Sequence, residues 1–120
     1  MTHKQAFEAY NALFKLNQQP MPIKTAYQIH KLMNALKPEF DFRVDAEKKL
    51  LDELQPESIN GSRVSFKSPG DVATWNARMI EIDALETDIK ITPAHVALSD
   101  DMKLAPADFD ALEGFIIFDE

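Results

Sequence analysis

Three histidines, His3, His30 and His95, are the side chains best suited to acid–base or metal chemistry in this sequence. No two of them stand at the separation that brings imidazoles to one metal ion. His30 falls beside an apolar stripe between Ala26 and Met33, where a lone histidine is usually packed and not a ligand. His95 follows Pro93 in a turn. No serine sits in the Gly-x-Ser-x-Gly arrangement of a nucleophile elbow. Gly61, Gly70 and Gly114 are too far apart to form a phosphate-cradling loop. Asp100, Asp101, Asp108 and Asp110 have the hard oxygen donors that a metal-dependent hydrolase needs, but not the order of a calcium loop. Trp75 has the flat face that stacks on bases, yet it lies on the apolar stripe of a helix and is expected in the core. The reading is therefore of a protein with no catalytic residue, no cofactor and no metal.

The totals agree with that reading. The chain has 120 residues, no cysteine and a net charge of −7. It is long enough for one domain with a modest core. Without cysteine, disulfides, thiolate zinc sites and cysteine nucleophiles are excluded. Charge is uneven: residues 1–37 carry +4 and residues 38–120 carry −11. Such polarity orients association. It does not provide the clustered cations that direct nucleic-acid binding requires. No apolar run approaches the roughly 20 residues of a membrane span. The start Met-Thr-His-Lys lacks an apolar signal region, so the expected location is a bacterial cytosol or a virion.

The elements follow from periodicity. Phe7, Tyr10, Leu13 and Phe14 predict an amphipathic helix over 4–16 with those four residues inward. After a polar connector ending at Pro22, apolar residues recur every three or four positions from Ile23 to Leu54. A helix of that length reaches about 50 Å. Pro38 leaves two readings of it. Either the helix runs through with a kink near Asn34, or it stops at Lys37 and Phe40–Val44 forms a short strand. Periodicity favours the kinked helix. Asn60-Gly61 signals a turn, and 63–67 alternates as a strand. Ser68, Pro69 and Asp71 then open a helix over 69–86 with Val72, Trp75, Met79, Ile82 and Leu85 on one stripe. Alternation returns over 88–92 and 95–99, as two short strands or one strand bent at Pro93. A short helix over 106–112 and an apolar run at 115–118 close the chain.

Two stretches carry a family likeness. Glu8–Leu13 with Pro22-Ile-Lys-Thr-Ala-Tyr through Glu39, and Leu104-Ala-Pro-Ala-Asp-Phe through Ile116, resemble a family of small bacteriophage and prophage proteins of unknown function. Trp75–Ile91 resembles that family's second helix and following strand. The likeness spans nearly the whole chain, and its motifs are structural. It implies a phage or prophage origin, and it implies a long helix that continues through Pro38. It implies no activity and supplies no catalytic residue. Where family members tend to place a serine cap before the C-terminal Pro-x-Asp, this chain has Ala105.

The fold class expected is α+β: a long kinked helix and two or three shorter helices packed on a small, mainly antiparallel sheet. The function expected is non-enzymatic protein–protein contact, in particle assembly or as a host-directed accessory factor. Self-association as a dimer or higher oligomer is expected, with another phage or host protein as a further partner and neither nucleic acid nor membrane. The candidate surface is Tyr27, His30, Met33, Phe40, Val44, Phe115 and Phe118. The alternative is a protein that binds or sequesters a small ligand or nucleotide near Tyr27, His30 and Trp75.

Overall fold

The computed structural model describes residues 1–60 and 63–119. Its elements are α1 (His3–Asn17), α2 (Ile23–Leu54), β1 (Ser58–Asn60), β2 (Arg63–Ser65), α3 (Pro69–Asp83), β3 (Ala94–Ala97), α4 (Pro106–Leu112) and β4 (Ile116–Asp119). The fold is α+β. The expected Asn60-Gly61 turn falls partly on Gly61, which with Ser62 lies outside the described residues.

α2 runs unbroken for 32 residues through Pro38, so the reading that stopped it at Lys37 is overturned. The proline ring removes the N–H that would bond the Asn34 carbonyl. It sits on the exposed face, where water reaches the freed group. At about 1.5 Å per residue α2 accounts for the long axis of the 50 × 31 × 20 Å molecule. It ends at Gln55, whose φ of 46° is the left-handed cap that glycine more often supplies.

α1 packs along residues 29–43 of α2. Thr2 and Gln5 exchange hydrogen bonds at 3.2 and 2.9 Å, a reciprocal cap that fixes the start of the helix. The buried stripe is not the aromatic one expected. Ala6, Ala9, Ala12, Leu13 and Leu16 take the core positions, and Phe14 is 55% exposed. α1 is pressed between α2 and α4, and alanines let three helices approach more closely than aromatics would. Phe7 and Tyr10 go to the flank, where their rings stack on Phe40 at 5.7 and 4.5 Å.

The strands form two separate pairs. β1 and β2 make an antiparallel hairpin with Ile59 opposite Val64. β3 and β4 pair in parallel, with Ala94 opposite Ile116. A parallel pair needs a crossover, and residues 98–115 with α4 supply it. The expected strand over 88–92 does not form; that segment has no strand beside it. β3 and β4 cover one face with Ala94, Val96 and Ile116, which join Ile29, Leu32 and Leu36 of α2 and the alanine face of α1 in one core.

The far half of α2 carries α3 and the hairpin. Ser68 caps α3 as expected, its hydroxyl accepting the Asp71 N–H at 3.2 Å, and Pro69 takes the first turn. No residue of α3 is fully buried, and Trp75, expected in the core, is half-buried against Phe66. Leu50 is the buried α2 side chain at this end, outside the main core.

Candidate interaction surface

His3 is wholly buried, and its Nδ1 lies 2.7 Å from Glu39 Oε2. It stands on the alanine stripe of α1, at the spacing of Ala6 and Ala9, and that spacing was the signal that sequence reading passed over. Phe7 stacks on its ring at 6.2 Å and Phe42 meets it edge-on at 5.5 Å. Its Nε2 has no hydrogen-bond partner among the described residues. The pair has the make-up of a general base, but the imidazole is wholly buried. What it does is tie the start of α1 to the middle of α2.

Beside it Arg43 joins three elements. Its Nε donates to Glu47 at 2.9 Å, its Nη1 donates to Asp83 at the end of α3, and its guanidinium lies 5.0 Å from the Phe7 ring centre. Burial disfavours its charge, but the bonds to Glu47 and Asp83 outweigh burial and raise its pKa above the ordinary value. At the other end Asp108 bonds Lys15 at 3.1 Å and the Ala105 N–H at 2.9 Å. These polar clusters hold elements together. Among the described residues no three His, Asp or Glu side chains converge on a metal-sized space.

The seven residues of the candidate surface do not make one surface. Tyr27 is 59% exposed, with Lys31 Nζ 4.7 Å from its ring centre. His30 shares that outer stripe and bonds Asn34 through Nε2 at 3.1 Å. Met33 is half-buried at the edge of the core. Phe40 is taken up by the stack on α1, and Val44, one turn further along α2, is exposed. Phe115 is a correction: it is buried in the core, because the crossover brings it under β3. Phe118 packs on Phe109 at 5.0 Å. The pocket expected near Tyr27, His30 and Trp75 is not formed. α3 lies over the α2 turns at Ala46–Glu53, and Tyr27 is about 30 Å away along the helix.

Two other features were not foreseen. One is a groove of about 600 Å³ between α2 (Gln28, Lys31, Ala35) and the segment leading into β3 (Lys90–His95). The other is the outer face of α3, where Ala73, Ala77, Ile80 and Ala84 follow one another at helical spacing, all exposed, with Ile80 at 69%. Among the described residues no helix is long and apolar enough to cross a membrane. Compared with models of protein families, with curated proteins and with solved structures, the chain matches none.

Proposed function

We propose that this chain is a non-enzymatic phage or prophage protein that works through protein–protein contacts, in particle assembly or as a host-directed accessory factor. It acts in the bacterial cytosol or the virion, and it self-associates. The phage assignment rests on the sequence likeness of Pro22–Glu39 and Leu104–Ile116. The contact function rests on one structural observation, the excess of surface over mass. The chain exposes 8200 Å² at 13.6 kDa, where a compact monomer exposes about 6,600 Å². Its radius of gyration is 16.8 Å, against about 13.6 Å for a compact chain of this length. The surplus exceeds the roughly 800 Å² that one partner contributes to a standard interface. At the end where α3 and the hairpin cover α2, no residue of α3 is fully buried and β1 is exposed throughout.

Sedimentation velocity from low to high micromolar concentration tests self-association. A mass above the monomer is expected, and a strict monomer removes that part of the reading. Photo-crosslinking side chains in place of Ile80 in one variant and of Thr92 in another, in cells carrying the parent phage, test the rest. A specific adduct to a phage or host protein is expected. Absence of any adduct, to its own chain or another, overturns the contact function.

A further inference from the structure

The free edge of β3 is a strand site without its strand. Ala94 and Leu98 donate their N–H groups to Phe115 and Asp119, so the backbone groups of Ala94, Val96 and Leu98 face β4. Those of His95 and Ala97 point to the opposite edge, which no strand covers among the described residues. Upstream, Asp88–Thr92 carries strand alternation: Ile89 and Ile91 pack on the core, while Asp88, Lys90 and Thr92 are exposed. Yet among the described residues the backbone of Asp88–Pro93 makes no hydrogen bond. Beside this edge lies the groove against Gln28, Lys31 and Ala35.

The charge of the groove selects the occupant. Its charged walls are Lys31 and Lys90; among the described residues neither is in an ion pair, and no acid lines the groove. His95 also lines it but turns its Nδ1 to Asp119 at 3.3 Å, so the lysines set the field. The same edge from a second copy would bring Lys90 and Lys31 against their own kind.

We infer that the β3 edge, continued by Lys90–Pro93, is the docking site for an acidic extended segment of a partner protein, which adds as a strand in the groove against α2. Main-chain bonds would hold it, and carboxylates alternating along it would meet Lys31 and Lys90. The inference rests on the contact function proposed above and assigns it a place.

The test uses the full chain and a displayed library of random nonapeptides. Selection on the wild type is expected to enrich Asp and Glu alternating with β-branched residues. A synthetic peptide of the selected sequence should shift the amide resonances of His95 and Ala97. It should bind Lys31→Glu/Lys90→Glu at least about tenfold more weakly, since two exposed attractions become repulsions. N-methylation of alternate backbone amides should abolish binding. Both lysines are exposed, so the double variant is expected to fold, with an unchanged circular-dichroism melt as the control. No enrichment, binding undiminished by charge reversal, or resonance shifts on another face overturns the inference. If the double variant keeps the crosslinked partner of the wild type, the groove is not its site, and the contact function survives without this inference.

Discussion

The Asp108 carboxylate sits where Ala105 leaves α4 without a side-chain cap. It reaches back to the Ala105 N–H at 2.9 Å and out to Lys15 at 3.1 Å. The backbone bond, with help from Lys15 and against the effect of burial, pulls its pKa below the ordinary 3.8. A carboxylate with a depressed folded pKa stabilises the fold fully above its unfolded value. That contribution is lost as pH falls through the folded value. Asp108→Asn is therefore expected to cost about 1–2 kcal/mol at neutral pH. Urea unfolding should show the gap between wild type and variant unchanged from neutral to mildly acidic pH and closing below about pH 4. A gap that stays constant into strong acid would show that the charge is not the cause. The Lys15 side chain is 57% exposed, so the backbone bond and not the ion pair carries most of the effect. The weakened cap was legible in the sequence at Ala105. The tie from Asp108 to Lys15, 93 positions away, was not. His3 is the same case: its place on the alanine stripe was visible, while its partner Glu39 depended on where α1 lies against α2.

Among the elements, α2 and α3 were legible because local rules specify them. Apolar spacing fixes the inner face of α2, and Ser68 with Pro69 fixes the start of α3. Pro38 marks the cost of keeping α2 whole. Replacing it by alanine restores the bond to the Asn34 carbonyl and removes the ring clash, so Pro38→Ala should stabilise the protein by about 1–3 kcal/mol. The measurement is the shift of the denaturant midpoint. A destabilised variant would mean that the packing of α1 and α3 depends on a bend at Pro38. The strands were harder to read. Alternation at 88–92 and at 95–99 is equally clear in the sequence, yet only the second pairs, as β3, because β4 comes back beside it. A strand needs a neighbour, and the neighbour is set by topology.

The whole molecule is a packed end and a looser end joined by one helix. The alanine face of α1, the middle of α2 and the β3–β4 pair form a continuous core. α3 has no fully buried residue, and β1 is exposed throughout. Local stability follows buried contacts, so the α3–hairpin end should open at lower free energy than the rest. Trp75, the single tryptophan, lies at that end and reports on it alone. In a urea titration its emission should change before far-ultraviolet circular dichroism, and amides of α3 should exchange faster than those of α1. Coincident transitions would show one cooperative unit. A partner that covers α3 should bring the two transitions together, by stabilising the state it binds.

The sequence by itself determined what local chemistry determines. It settled the α+β class, the long helix with its inner face, the cap of α3 and the division of charge near Lys37. Each of these depends on residues within a few positions or on composition. Tertiary structure alone decided that alanines and not aromatics form the buried face of α1, that Phe115 is core and not surface, and that Tyr27 and Trp75 lie at opposite ends. It also decided that the alternating segment 88–92 stays unpaired beside a basic groove. The physical reason is that burial and strand pairing are properties of neighbours, and the neighbours here are tens of residues away along the chain.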